Sequence, residues 1–317
     1  MIPPTGAPGE CGPTSRPTAT VPAAIGPVTG HRPSGPTAIE HPVGMLPRLI
    51  ACDLDGTLID DEARVTPRTR AALEAAAAAG VVVACATGRY RRNTRTIVLQ
   101  AGPAMRYSVV TNGALVVGYS GEAADETVID RVTIDRGMVA SVVGHLRSLD
   151  PAIGFGLVSE QHLVFEAGFM ELVPMEPEGD VIGDVLDFDA PEWLKLWVFH
   201  PAVREAELVP WLRDPVRTVA PAYGVGHTGL DAAEVGPAGL DKAAGLARLC
   251  AHLGIGADEV LVFGDSANDR AMFAWAGHSV AMANADPVTA SLADCVTAAP
   301  NTDDGVARHL EALLREA

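Results

Sequence analysis

Two aspartates separated by one residue, Asp53 and Asp55, close a short apolar run and are followed by Gly56 and Thr57. In an extended segment, residues two apart project to the same side, so both carboxylates are expected in one crevice. Two unit charges about 4 Å apart repel by roughly 4 kcal/mol at an effective dielectric near 20, which calls for a bound cation or a proton on one of them. A second acidic loop, Gly264-Asp265-Ser266-Ala267-Asn268-Asp269, follows another apolar run. Asp265 and Asp269 add hard oxygen donors, the kind that magnesium takes in a polar crevice. Plainer readings exist for each: an acidic surface turn for the first loop, and a helix cap by Asp265 for the second.

A tetrapeptide at 86–89, Ala-Thr-Gly-Arg, ends one apolar run and opens a polar segment. A hydroxyl at Thr87 and free N–H groups near Gly88 at a helix start would make an anion site, although an ordinary threonine cap accounts for the same string. The chain has only two lysines, Lys195 and Lys242, among 23 basic residues. Lys242 is expected in the first turn of a helix, where a cation is unfavourable unless an anion lies close. It reads as a compact positive charge aimed at phosphate oxygens and at the carboxylates. Lys195, inside an apolar strand, is expected to be structural or to touch a substrate. Arg89, Arg91, Arg92 and Arg95 crowd one helix and are expected mostly as solvated face charges. The nine histidines show no metal-ligand spacing, no cysteine has a C-x-x-C partner, and no Walker or dinucleotide glycine motif occurs.

These residues must be positioned by regular elements, and the periodicity supplies them. Residues 49–54, 81–85 and 107–110 read as buried strands, with helices at 67–79 and 89–100 between them. Thr66 and Pro67 give the first helix its cap and first turn, and Gly80 ends it. The βαβαβ order implies an α/β fold with a doubly wound parallel, Rossmann-like sheet, in which ligands bind outside the carboxyl ends of the strands. After Asn112-Gly113 the rhythm changes to hairpin-like strands, a helix at 136–149 and Pro/Gly-rich stretches, so 115–225 is expected to be an inserted α+β domain. The alternation resumes with a helix at 241–253, a strand at 259–263, a helix at 267–275, a strand at 279–281 and a terminal helix from about 303.

Eleven of the 24 prolines lie in residues 1–47, a segment expected to be disordered. Met45 stands just ahead of the first strand and marks an alternative start. The 48% hydrophobic content is enough for sizeable cores, and the net charge of -17 argues against nucleic acid as a partner. The most apolar stretch, 71–86, is broken by Glu74 and Gly80, so no membrane span is expected. Five cysteines, odd in number and mostly in apolar runs, suit reduced thiols in a cytoplasmic protein.

Taken in order, D-L-D-G-T-L (53–58), A-T-G-R (86–89), T-N-G-A (111–114), G-L-D-K (239–242) and G-D-S-A-N-D (264–269), the last followed by M-F-A-W-A-G and V-A-M-A-N-A, resemble the Cof-type branch of the haloacid dehalogenase superfamily. The resemblance spans nearly all of residues 49–315. It implies a catalytic core at 48–114 and 226–317, and a cap at 115–225 that selects the substrate. It further implies a Mg2+-dependent phosphatase of small phosphorylated metabolites, a sugar phosphate by default or a phosphorylated cofactor. Asp53 would be the nucleophile that forms an aspartyl phosphate, and Asp55 the general acid and then base. Thr87, Gly88, Lys242, Asn112 and Asn268 would surround the phosphate. The metal would be held by Asp53, the backbone carbonyl of Asp55 and Asp265, with Asp269 as a ligand or an orienting group. A Pro/Glu-rich stretch at 170–189 departs from the family where the cap should meet substrate. Two rivals are a phosphotransferase or phosphomutase using the same intermediate, and a catalytically silent metabolite-binding regulator. Intact Asp53, Asp55, Lys242 and Asp265 weigh against the second.

Overall fold

The computed structural model describes residues 46–121, 125–160, 162–169, 181–188, 193–228 and 231–317. The segment 1–47 lies outside them except for Leu46 and Pro47, and so does most of 170–189.

The first strand, β1 (Leu49–Cys52), is apolar and buried at every position, as a strand covered on both faces must be. A tight turn over Leu54–Leu58 leads towards α1 (Pro67–Ala78), whose start follows the sequence: Thr66 accepts from the Thr69 N–H at 3.0 Å, and Pro67 sits in the first turn. Strand β2 (Val82–Ala86), helix α2 (Arg91–Ala101) and strand β3 (Met105–Val110) complete the expected unit, with β1, β2 and β3 parallel. Strands β4 (Leu115–Ser120) and β5 (Asp125–Arg131) then extend the same sheet as an antiparallel hairpin. The boundary placed at 115 from the change of rhythm therefore falls inside the first sheet. Residues 115–119 are all buried, and the turn at Asn112-Gly113 folds them back onto β3.

Helix α3 (Arg136–Leu149) opens the inserted α+β domain. Its sheet is built from β6 (Gly154–Ser159), β7 (Leu163–Phe165), β8 (Val181–Ile182), β9 (Trp193–Phe199), β10 (Tyr223–His227) and β11 (Ala233–Pro237), in the order β10-β11-β9-β6-β7-β8. One face packs on α3 and on α4 (Glu205–Val219) through residues such as Val142, Leu146, Leu196, Val198, Leu208 and Leu212. The α4 segment reads as irregular from its two prolines, Pro210 and Pro215, yet it is helical. Leu208, Val209, Leu212 and Val216 form one buried stripe, and burying it outweighs the lost helical hydrogen bonds. Strand β11 pairs with β9 and β10 pairs with β11, so the chain leaves the insertion after Pro237 rather than at 225.

Helix α5 (Lys242–Leu253), strand β12 (Val260–Gly264), helix α6 (Arg270–Trp275), strand β13 (His278–Ala281), helix α7 (Pro287–Leu292), strand β14 (Cys295–Val296) and helix α8 (Gly305–Glu316) return to the first sheet. Its order is β14-β13-β12-β1-β2-β3-β4-β5, which places β1 between β12 and β2. Cys52, Cys85 and Cys250 are buried free thiols, and Cys295 is half-buried. Among the described residues no helix is long and apolar enough to cross a membrane.

Candidate active site

Strands β1 and β12 run parallel with Cys52 opposite Phe263, so the loops that leave them emerge at one edge of the sheet. That edge is the carboxyl end of the strands, where ligands of open α/β sheets bind. The Asp53 N–H donates to the Phe263 carbonyl at 2.9 Å, and Asp53, Asp265 and Asp269 bring carboxylate oxygens within 4.8 Å of one another.

Lys242 reaches this group from the first turn of α5, whose start is capped by Asp241 accepting from the Ala244 N–H at 2.8 Å. Its ammonium is fully buried, 2.8 Å from Asp53 Oδ1 and 2.7 Å from Asp269 Oδ1. Asp269 Oδ2 accepts from the backbone N–H groups of Asp265 and Ser266, at 2.9 and 3.0 Å. Both Asp269 oxygens are thereby committed inside the protein, and its plain consequence is to hold Lys242 and the acidic loop in register. Asp269, not Asp265, reaches back to cap this loop, which leaves the Asp265 carboxylate facing Thr57 (3.3 Å) and Gly56. At Gly56, where φ is 70°, a Cβ would come within 2.4 Å of Asp265 Oδ2, so only glycine lets the two loops approach.

Charge follows from this packing. Burial and the neighbouring Asp269 push the Asp53 carboxyl well above its ordinary range, with Lys242 acting the other way. Burial and Asp269 push Asp265 up to about 6. Burial by itself would lower Lys242, but Asp269 and Asp53 outweigh it and hold the ammonium above its usual value. Three carboxylates crowded around one ammonium leave an excess of negative charge on hard oxygens, a donor set that fits a divalent cation.

Asp265 makes the stability of the protein depend on pH. Its folded value lies above the ordinary 3.8, so the stability it confers is complete below that pH and is lost as pH rises through about 6. Without divalent ions, Asp265→Asn is expected to raise the melting temperature near neutral pH, and the gap should close towards about pH 4. Added magnesium should raise the wild-type melting temperature at neutral pH and leave that of the variant nearly unmoved, which thermal scans with and without the ion will read.

Asp55 departs from its expected place. Because β1 ends at Cys52 and the chain turns over Leu54–Leu58, the alternation of a continuous strand no longer governs where residue 55 points. Its carboxylate is exposed and outside the Asp53 group, held by Arg89 through Nε at 2.8 Å and Nη2 at 2.5 Å. Of the arginines expected as solvated charges, Arg95 is exposed while pairing with Glu126 at 2.9 Å, but Arg91 is largely covered and pairs with Glu126 at 2.6 Å, and half-buried Arg92 lies over the Tyr90 ring.

Thr87 and Gly88 follow β2 beside Asp53, and Thr87 is buried. The Thr87 hydroxyl oxygen accepts from the Arg89 N–H at 3.1 Å, while α2 begins at Arg91, so this turn precedes the helix instead of capping it. Asn112 is buried with a left-handed backbone (φ 47°), and its N–H donates to the Thr87 carbonyl at 3.0 Å. The next residue, Gly113, has φ 92°, and a Cβ there would come within 2.0 Å of the Asp241 carbonyl. Gly113→Ala should therefore force α5 and its Lys242 away, costing about 1–3 kcal/mol in backbone strain alone; a lowered denaturation midpoint with reduced activity is the expected outcome. Asn268 is half-buried, and its carboxamide oxygen accepts from the Ser266 hydroxyl at 2.8 Å.

Three further residues support the site without being among those expected to. Thr57 bonds Asp265, Asn284 Nδ2 holds the Gly56 carbonyl at 2.7 Å, and Glu234 bonds Asn112. Thr57 and Asn284 sit within the D-L-D-G-T-L and V-A-M-A-N-A strings, which was the available signal; Glu234 had none.

A family model for haloacid dehalogenase-like hydrolases matches residues 50–310, and the chain belongs to that family. Its relatives include an HMP-PP phosphatase of Serratia proteamaculans, 29% identical over 252 residues, covering 77% of this chain and 87% of the relative. A 5-amino-6-(5-phospho-D-ribitylamino)uracil phosphatase of Bacillus subtilis is 27% identical, covering 82% and 93%. Among solved structures, a haloacid dehalogenase-like hydrolase from Bacteroides thetaiotaomicron superposes with a TM-score of 0.69 at 22% identity, covering 84% and 99%, and shares the fold of core and inserted cap.

Proposed function

We propose that this hydrolase is a magnesium-dependent phosphatase of small phosphorylated metabolites, acting in the cytoplasm, with Asp53 as nucleophile. The observation that carries the reading is the buried Lys242 ammonium bridging Asp53 and Asp269 beside Asp265. Binding alone requires no such nucleophile. The named phosphatases among the relatives support the same reaction class.

Asp53 attacks phosphorus through the oxygen not bonded to Lys242, expels the leaving alcohol and becomes an aspartyl phosphate. Lys242 steadies the nucleophile and takes up charge on the phosphoryl oxygens, while the Thr87 hydroxyl and the Gly88 N–H donate to them. Asp53, the backbone carbonyl of Asp55 and Asp265 would hold Mg2+, with Asp269 orienting. Bound there, the ion would neutralise the clustered carboxylates and the phosphate charge. A substrate dianion competes for Arg89, and the released Asp55 carboxylate takes up a proton from solvent, gives it to the leaving oxygen, and then takes a proton from the water that hydrolyses the intermediate. Asn268, tied to Ser266, sits at the rim. The inserted domain serves as the cap that selects the substrate, and the net charge of -17 disfavours nucleic acid.

Phosphate release from a panel of phosphorylated metabolites tests this. Release to water that requires magnesium, is stopped by a chelator and needs no bisphosphate activator is expected. Turnover only when a second sugar accepts the phosphoryl group would instead identify a phosphotransferase or phosphomutase.

A further inference from the structure

Two charged side chains of the inserted domain are buried apart from the carboxylate group and have no part in the chemistry above: Lys195 on β9, 2% exposed, and Glu234 on β11, 7% exposed. Trp197 pairs with Glu234 across the two strands, and Lys195, two residues along, projects to the same face. The Lys195 ammonium donates to Glu234 Oε1 at 3.1 Å. Gly236 lies on that face as well, where a Cβ would come within 2.9 Å of Lys195 Nζ; the missing side chain makes the room that the ammonium occupies. Glu234 Oε2 accepts from Asn112 Nδ2 at 3.2 Å, so the pair abuts the loop after β3 in the first sheet. Through Asn112 it also adjoins the phosphate end of the site: the Asn112 backbone bonds Thr87, and its carboxamide oxygen lies over Gly88, 3.2 Å from where a Cβ would stand.

This line of polar groups is incomplete. Asn112 Oδ1 is buried and has no hydrogen-bond partner among the described residues, with the side chain 5% exposed. The Lys195 ammonium has three N–H donors and meets one acceptor among those residues. Buried acceptors are nearly always satisfied, so an orphan beside a site marks a place where another molecule completes the set. An orphaned acceptor and spare ammonium donors on either side of a carboxylate match a group that both donates and accepts, and an alcohol hydroxyl does both. Phosphate oxygens, which only accept when ionised, would face the Asn112 oxygen unfavourably.

We infer that Lys195, Glu234 and Asn112 form a subsite that binds hydroxyls of the leaving alcohol beside the phosphoryl group and thereby decides which esters are hydrolysed. Asn112 then reads the leaving group and is no phosphate ligand. This rests on the phosphatase reading above.

The test is the ratio of kcat/KM for sugar and polyol phosphates to that for phenyl phosphate and 4-nitrophenyl phosphate, whose leaving groups carry no further hydroxyl. It uses the full chain with magnesium. The double variant Lys195→Met/Glu234→Gln removes both charges together, so that neither is left buried alone. The ratio should fall about 10-fold or more, the loss of at least one well-placed hydrogen bond. On the unaltered protein, a deoxy analogue of the preferred substrate should lose about 10-fold or more in kcat/KM for at least one position, a readout that stands even if the variant does not fold. A ratio that stays within about 3-fold, with both ester classes falling together or neither falling, overturns the subsite and leaves the pair a structural link. So does a wild-type protein that hydrolyses the hydroxyl-free esters and no hydroxylated one, or one indifferent to every deoxy analogue. Absence of phosphate release from both classes overturns the phosphatase reading itself, and the subsite with it.

Discussion

Asp53→Asn is expected to lower phosphate release by about 10⁴- to 10⁶-fold, the range seen when a covalent nucleophile is removed. The carboxamide keeps the shape of the side chain but cannot attack phosphorus. The fold should survive, because Lys242 retains Asp269 as its partner and one of three crowded carboxylates has lost its charge. Melting without magnesium should therefore be unchanged or raised. Steady-state turnover, together with trapping of a phosphorylated enzyme in the wild type only, checks the chemistry. Turnover comparable to wild type in a folded variant would refute Asp53 as nucleophile.

The second large effect is expected at Lys242. Lys242→Met leaves Asp53 and Asp269 facing each other in a fully buried place with no cation between them. Breaking a buried ion pair by removing one partner costs about 3–5 kcal/mol. Activity should fall by about 10²- to 10³-fold or more from the lost charge stabilisation, and a misplaced nucleophile adds to that. Lys242→Arg should rescue little, since a planar guanidinium is larger and cannot sit between two oxygens at 2.8 and 2.7 Å in the space of an ammonium. Urea unfolding and kcat measured on the same preparations separate the two losses. A Lys242→Met protein that unfolds like wild type would sink the account of the buried bridge.

Much of this arrangement was legible in residue order. Thr66-Pro67, Gly80 and the apolar runs located α1, β1 and β2 to within a residue or two, because caps and burial on both faces are local demands. The failures were of another kind. Pro210 and Pro215 concealed α4, whose stability comes from the stripe it buries against the second sheet. The hairpin of β4 and β5 looked like part of the insertion because a change of local rhythm says nothing about which sheet a strand will join.

At the site the division is sharper. The types and spacings of Asp53, Asp265, Asp269 and Lys242, each at a strand end or helix start, were enough to expect an acidic centre with one ammonium, since a parallel sheet gathers its strand ends along one edge. Where each side chain points was decided only by tertiary packing. Asp55 turns to Arg89 because the strand stops before it, and Asp269 serves Lys242 because its second oxygen caps the loop. Glu234 reaches Asn112 across 122 positions of chain. Local sequence sets which conformations a segment favours, whereas the partner of a buried charge is set by whichever distant element folding brings within about 3 Å, and no periodicity encodes that.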